Sequence, residues 1–301
     1  MRIGQLFRYG RPYNAKEPVI DGSPNYFHAV LTPGQPLPLL ESGINKIAKV
    51  KAPEGLRRPM ILIASSPHKI GQEETPWQDV FSVDIGHIRY FGDNKTAGRD
   101  PSLAPGNRIL LEQLGMHTSP SSAVRELSVP LVFFRRVAYG GRRKGQVQFQ
   151  GMGIVTGAQR LTQFHPRRRS YFTNYVFDFC VLSLAAEAEE FDWGWLRARY
   201  DGMLTLRETL ASAPESWKKW IQGGPKYEER YRRSVSKLVT VSPRNQRPEA
   251  ETAVARDLHT ILVFFESKKH RFENLASAVA ASIIKQSRRD LQRGLAHTGR
   301  R

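Results

Sequence analysis

The sequence contains a single cysteine, Cys180, among 301 residues. One thiol excludes an intramolecular disulfide framework and a zinc site built on cysteine pairs. The eight histidines occur singly, without a His-x-x-x-His pair or a His-Glu-x-x-His motif. A phosphate-binding Gly-x-x-x-x-Gly-Lys loop is also missing, so nucleotide hydrolysis is not indicated. We therefore predict that the chain carries no cofactor of its own.

The sequence also lacks long apolar runs. None approaches the roughly 20 residues that a membrane-spanning helix requires. The first ten residues do not have the charged and then apolar layout of a secretory signal. These absences predict a cytoplasmic protein.

Acidic residues are missing from one long stretch. Between Glu126 and Asp178 there is no Asp or Glu, although the overall rate of 28 acids in 301 residues would place about five there. The same stretch holds nine basic residues, which are Arg135, Arg136, Arg142, Arg143, Lys144, Arg160, Arg167, Arg168 and Arg169. With a net charge of +18, this one-sided stretch predicts a polyanionic partner such as nucleic acid.

The spacing of apolar residues predicts an α+β fold. Residues 1–185 are predicted to be β-rich, because short apolar runs alternate with Pro, Gly, Asn and Ser clusters. Residues 60–64 are predicted as a strand, and so are residues 80–91, in which Phe81, Val83 and Ile85 alternate with polar residues. Residues 129–157 are predicted to form a β-hairpin with a basic tip at residues 139–145, and a further strand is predicted over residues 171–184.

The remainder of the chain has a helical pattern. Residues 186–240 are predicted as a helical extension, and residues 241–250 as a linker flanked by prolines. Residues 251–301 are predicted to be helical, with an apolar stripe that includes Val254, Leu258 and Phe265. Such a stripe could bind a partner or a second copy of the chain, so a homo-oligomer is one prediction.

A candidate site lies around the segment from Trp77 to Asp93. Two aromatic rings and a carboxylate at one sheet end suit a pocket for a base rotated out of a duplex. Trp77 and Tyr90 would stack on the base, and Asp79 would accept a hydrogen bond from the exocyclic amine of cytosine. The alternative is that Trp77 is a core aromatic and that Asp79 and Asp93 are turn residues.

The same residues carry a resemblance to a known family. The segments Trp77-Gln78-Asp79, Gly86-His87-Ile88-Arg89-Tyr90-Phe91-Gly92-Asp93, Gly98-Arg99-Asp100 and Gly106-Asn107-Arg108-Ile109-Leu110-Leu111 resemble the N-terminal recognition domain of AspBHI/MspJI-type modification-dependent restriction endonucleases. The resemblance implies an SRA-like curved β-barrel with flanking helices that flips 5-methylcytosine. It implies a modified-base pocket of Trp77, Asp79, Tyr90, Gly92 and Asp93. The predicted DNA contacts are the nine basic residues together with Lys95 and Arg99.

Later segments extend the resemblance. They are Phe191-Asp192-Trp193-Gly194-Trp195, Val241-Ser242-Pro243 and the stretch from Lys269 to Ala276. In the family the last of these opens an Mrr-like nuclease domain. Only about 30 residues follow His270, and they lack the carboxylate and the Glu- or Gln-x-Lys element of a metal-dependent nuclease. The expectation is a recognition part, either natural or truncated, in which Mg²⁺ would be needed only by an intact nuclease domain.

Three interpretations follow for function. The first is a prokaryotic restriction-system protein that binds double-stranded DNA carrying 5-methylcytosine or a related modified cytosine. The second is an intact type IV or IIM-like endonuclease that cuts modified DNA. The third is a generic basic RNA-binding protein, for which the basic hairpin would suffice without a pocket.

Overall fold

A computed structural model describes residues 1–10, 13–66, 79–82, 86–139, 142–165, 168–182 and 190–227, with the backbone alone for residues 139 and 142–144. All of these residues belong to one compact unit within Met1–Val239. The predicted linker at 241–250 and the predicted helical segment at 251–301 lie outside the described residues.

Twelve strands are found in the described part of the chain. They are β1 Leu6–Arg8, β2 Val19–Ile20, β3 Ser23–Pro24, β4 Ile44–Lys46, β5 Val50–Ala52, β6 Gly55–Arg57, β7 Ile61–Ser65, β8 Val80–Ser82, β9 His87–Phe91, β10 Leu131–Tyr139, β11 Arg142–His165 and β12 Ser170–Val181.

The same part of the chain contains six α-helices. They are α1 Tyr26–Val30, α2 Pro105–His117, α3 Ser122–Glu126, α4 Trp193–Tyr200, α5 Leu206–Thr209 and α6 Glu215–Gly223. Helix α2, with 13 residues, interrupts the half of the chain that was predicted to be β-rich. None of the described helices has the length and apolarity needed to cross a membrane.

The main sheet is mixed and open. Its strand order is β4-β7-β10-β11-β12-β9-β8, and β1 pairs with β11 beside this path. Only β7 and β10 run parallel, and the other pairs are antiparallel. The predicted α+β class is confirmed, but the prediction of a barrel is wrong for the described strands, because the sheet path ends at β4 and β8 without closing.

Three register shifts interrupt the pairing of the 24-residue strand β11: one lies near its start, opposite Val137 and Tyr139, and two β-bulges bend its middle part. One lies opposite Phe133 and Phe134, where Gly151 has a φ of 102°, and the other lies between Val155 and Gly157. A bulge adds an unpaired residue and increases the local twist. The first half of β11 therefore pairs with β10 and β1, and its second half turns to pair with β12.

One prediction for this sheet needs correction. Residues 80–91 do not form a single strand, because β8 and β9 pair with each other in antiparallel register, with Phe81 opposite Ile88. Gly86 between them has a φ of 70°, a conformation that glycine adopts at little cost. The reversal brings Asp79, just before β8, close to Phe91 at the far end of β9.

Two apolar cores cover the faces of the sheet. One contains the aromatic residues of α4 and α6, including Trp195, Trp217 and Trp220. The other lies between the sheet and α2 and contains Ile109 and Leu110. Burial of these large side chains removes apolar area from water and stabilises the packing of the helices on the sheet.

His117 joins α2 to the sheet. Its ring Nδ1 accepts a hydrogen bond from the Val155 N–H at 3.1 Å, and its Nε2 donates to the Val129 carbonyl at 3.1 Å. This pattern requires a neutral ring, and burial lowers the pKa of His117 to about 3. The histidine is therefore a structural link that holds α2 against β11.

Candidate nucleic-acid interface

Asp79 lies where β7, β8 and β9 meet. Its Oδ2 accepts a hydrogen bond from the Ser65 hydroxyl at 2.8 Å, and its Oδ1 accepts one from the Phe91 N–H at 3.0 Å. An ionised carboxylate offers about four acceptor positions. Asp79 therefore has acceptor capacity left after both contacts are made, and it is held in a fixed orientation.

The environment of Asp79 alters its protonation. Burial raises the pKa of the carboxyl to about 6, although the hydrogen bonds from Phe91 and Ser65 act in the opposite direction. Desolvation penalises the charged form of an acid, which is why burial is the largest cause. A carboxyl whose pKa is shifted in this way is a candidate functional group.

Tyr90 is close to Asp79 and is buried. Its side chain is only 5% exposed and packs against Phe179, with 6.3 Å between ring centroids. Its hydroxyl donates to the Ala64 carbonyl at 3.2 Å. Burial raises the pKa of Tyr90 well above its usual value, and the charges of Asp79 and Asp93 act in the same direction. The structure thus places Tyr90 in the core beside the carboxylate, without an open ring face.

Asp93 accepts hydrogen bonds from the start of helix α2. Its Oδ2 accepts a hydrogen bond from the Gly106 N–H at 2.8 Å, and its Oδ1 accepts one from the Asn107 N–H at 3.1 Å. These donors are the first N–H groups of α2, which otherwise lack partners, and a carboxylate is favourable at a helix N-terminus. Ala104 at the N-cap has no side chain that could do the same. Asp93 therefore fastens α2 to the end of β9.

Gly92 lies in a buried amide network that the sequence did not reveal. Its N–H donates to the Tyr175 carbonyl at 2.8 Å, and its carbonyl accepts from the Asn174 side chain at 2.9 Å. Asn107 donates to Asn174 at 3.1 Å. The sequence signal for this network was a polar residue, Asn174, within a strand that is mostly aromatic and aliphatic.

We expect Gly92→Ala to destabilise the protein. A Cβ at this position would lie 2.0 Å from Asn107 Oδ1 and 2.9 Å from Asn174 Oδ1. Relief of such overlap costs about 1–3 kcal/mol in well-packed regions, which should lower the midpoint of thermal unfolding by several degrees. Circular dichroism melting curves measure this effect.

Gly115→Ala provides the matched control. Gly115 lies within α2, and nothing would meet a Cβ there within 4 Å. The same substitution at this position should raise stability, because alanine is the better helix former by about 1 kcal/mol. Equal melting temperatures for Gly92→Ala and the wild type would contradict the tight packing around Gly92.

The predicted basic residues fall into separate groups. Arg160, Arg168 and Arg169 are exposed on the β11–β12 hairpin. Lys95 and Arg99 are exposed in the loop after β9, where the Lys95 carbonyl lies 3.5 Å from Arg168 Nη1. We call these five exposed residues the ribbon cations.

Arg136, a predicted phosphate contact, makes contacts within the protein. Its guanidinium donates to the Leu40 carbonyl and lies over the Tyr9 ring, 5.3 Å from the centroid. Arg135 beside it is half-buried. A guanidinium committed to a carbonyl and a ring face is not available to a phosphate without losing those contacts.

Several predicted site residues, or their side chains, lie outside the part of the chain that the structure describes. Trp77, Arg167 and the side chains of Arg142, Arg143 and Lys144 are among them. The backbone does confirm the β10–β11 hairpin, with Tyr139 opposite Arg142. Because β11 already begins at Arg142, the three cations belong to a strand end, whereas the prediction placed them in the hairpin tip. Arg8 supports this end by donating to the Gly145 carbonyl at 2.6 Å.

Comparisons with known proteins identify relatives with this architecture. Residues 41–231 match the family model described as restriction endonuclease AspBHI N-terminal. The structure of the restriction endonuclease MspJI in complex with a 27-mer oligonucleotide has 37% sequence identity and a TM-score of 0.71, and the match covers 95% of this chain and 66% of MspJI. This chain thus spans just under two thirds of the length of MspJI.

A second structure shares the fold. The DNA recognition domain of the cytosine modification-dependent restriction endonuclease LpnPI has 18% identity and a TM-score of 0.50, with 74% of this chain and 87% of that domain covered. No curated protein sequence gives a significant match. The family model covers more than half of the chain. The chain therefore belongs to the AspBHI N-terminal family, the recognition domains of modification-dependent restriction endonucleases.

Proposed function

We propose that this chain binds double-stranded DNA that carries a modified cytosine, and that it reads the base after extrusion from the duplex. The observation that carries the proposal is the Asp79 carboxylate, which is oriented by Ser65 and Phe91 and retains acceptor capacity. Membership of the family and the exposed ribbon cations support a DNA partner. The role that we propose for this chain is DNA recognition.

The chemistry of the proposed pocket follows from the cytosine edge. The exocyclic amine of cytosine donates a hydrogen bond, and an ionised Asp79 accepts it. A hydrogen bond to a charged group contributes about 1.5–3 kcal/mol. Stacking on aromatic rings contributes about 1–3 kcal/mol per base, and together these offset the few kcal/mol needed to unstack a base.

We assign the stacking role to Trp77 and Tyr90, as the family resemblance implies. In the described conformation the Tyr90 ring is covered, so base entry requires that its outer face be uncovered. Gly92 and Asp93 would shape the wall next to the pocket, because they fasten β9 to α2. The ribbon cations would hold phosphates on the flanking strand and set the register of the protein on the duplex.

The modification itself supplies little binding energy. Burial of one methyl carbon is worth about 0.8 kcal/mol, or roughly fourfold in affinity. A strong preference for modified cytosine therefore needs a pocket shape that the methyl group completes, together with contacts to flanking bases.

Fluorescence anisotropy with short duplexes that differ by one methyl group tests the proposal. We expect tighter binding to the methylated duplex by at least about fourfold, the contribution of one buried methyl. Equal affinity for both duplexes would contradict the proposal. An RNA of the same sequence is the third arm, and tighter binding to it would favour the RNA-binding alternative.

A further inference from the structure

The distal part of the β11–β12 hairpin forms a two-stranded ribbon. Strand β9 pairs with β12 only from Val176 to Cys180. Beyond that point the β11–β12 register continues from Arg160 opposite Tyr175 to His165 opposite Ser170. This ribbon reaches past the last strand that flanks it and ends at Arg168 and Arg169.

The two faces of the ribbon differ in burial. Successive residues of a strand point to opposite faces, and residues directly opposite each other share a face. His165 and Phe172 lie on one face and are buried. Phe164 and Tyr171 lie opposite each other on the second face, where they are 44% and 70% exposed. Their ring centroids are 5.1 Å apart, so the two rings form one continuous aromatic ridge.

Cations surround this ridge. Arg160 is exposed on the same face of the ribbon, and its pair with Tyr175 lies four register positions from the pair of Phe164 and Tyr171. Arg168 and Arg169 are exposed at the turn, and no acidic residue occurs between Glu126 and Asp178. The surface therefore offers planar apolar rings inside a positive field.

A partner that fits this surface must have anionic groups on its outside and planar apolar groups within reach of the rings. Duplex DNA has both, since phosphates line the edges of a groove whose floor consists of base and deoxyribose edges. Proteins that bend DNA insert apolar side chains between base steps in this manner. An anionic lipid surface also combines negative charge with an apolar interior, so vesicles of anionic lipid serve as a comparison.

We propose that Phe164 and Tyr171 act as an aromatic wedge that packs against base and deoxyribose edges next to the target cytosine, while Arg160, Arg168 and Arg169 contact the flanking phosphates. This inference rests on the proposed function and adds a second contact surface to the pocket. By loosening the stack beside the target, the wedge lowers the cost of extruding the base.

The double substitution Phe164→Ala/Tyr171→Ala tests the wedge. Both side chains are exposed, so the fold should be retained, which circular dichroism can verify. We expect affinity for a methylated and an unmethylated duplex to fall by about tenfold or more, as for the loss of stacking on aromatic residues. The dependence of affinity on salt should not change, because no charge is removed. When the wild type binds, the fluorescence of a 2-aminopurine placed next to the target cytosine should increase. With the double variant this increase should be lost.

Leu56→Ala/Met203→Ala is the matched control. These side chains are 70% and 85% exposed and lie on β6 and in the loop after α4. Their replacement should change affinity less than twofold. If the Phe164→Ala/Tyr171→Ala double variant, called the ribbon variant, binds duplex DNA as tightly as the wild type, the wedge proposal is wrong. Binding of the wild type to vesicles of anionic lipid, lost in the ribbon variant while duplex binding is retained, would also overturn it.

The outcomes separate this inference from the proposed function. If the wild type prefers the methylated duplex and the ribbon variant binds as well as the wild type, only the wedge fails. If the wild type shows no preference for methylation but the ribbon variant loses duplex affinity, the wedge holds and the reading of modified cytosine fails.

Discussion

Replacement of Asp79 by alanine should abolish the preference for a modified-cytosine duplex while salt-dependent binding to any duplex remains. The lost hydrogen bond to a charged group is worth about 1.5–3 kcal/mol, which corresponds to roughly 10- to 150-fold in affinity for the modified duplex. General binding should persist, because it depends on the ribbon cations, which the substitution does not touch. Anisotropy titrations with both duplexes at several salt concentrations measure the two properties separately.

Asp79→Asn is the conservative comparison for this prediction. It preserves the shape of the side chain and one carbonyl oxygen, which can still accept from the cytosine amine. We expect it to retain a weaker preference. If Asp79→Ala loses both the preference and general binding, together with its thermal transition, the carboxylate is a structural residue and the pocket assignment fails.

The same carboxylate should make the preference depend on pH. Burial raises the pKa of Asp79 to about 6, so the group is ionised above this value and protonated below it. The preference should therefore be complete near pH 8 and decline as the pH falls through 6. Asp79→Asn has no such titration, and its weaker preference should stay constant over this range. A wild-type preference that is the same at pH 5 and pH 8 would contradict the role of an ionised Asp79.

Removal of three ribbon cations should produce the second large effect. In Arg160→Ser/Arg168→Ser/Arg169→Ser, three phosphate contacts are lost, and each contributes about 0.9 to the slope of log affinity against log salt. The slope should fall by about 2.7, and affinity at 0.1 M salt should fall by about 10²- to 10³-fold. The ratio of affinities for methylated and unmethylated duplexes should change little, because phosphate contacts carry no sequence information.

Arg207→Ser/Lys218→Ser/Lys219→Ser is the control for net charge. It removes the same number of charges from α5 and α6, outside the ribbon. Its slope should differ from that of the wild type by less than one. Equal losses from both triple variants would mean that total charge, without a defined surface, governs binding.

The strand and helix positions show which elements of the fold local sequence patterns predict and which they do not. The hairpin of β10 and β11 was predicted because apolar runs flank a glycine-rich basic turn, and the register confirms it. The reversal between β8 and β9 was missed, because Phe81, Val83 and Ile85 alternate with polar residues and predict one continuous strand. Helix α2 was missed because Ala104 gives it no local capping signal, and its N-terminus is instead capped by Asp93 from a different part of the chain.

The sequence by itself determined the charge of this protein, the acid-free stretch and the family, because composition and local motifs do not depend on how distant segments meet. Tertiary structure decided which cations are exposed on the ribbon and which, like Arg136, donate hydrogen bonds to carbonyl groups of the protein itself. It also decided that Asp93 caps a helix, whereas Asp79 keeps acceptor capacity beside Ser65. The physical reason is that the partner of a polar side chain is set by strand register and long-range packing, which a linear pattern does not encode.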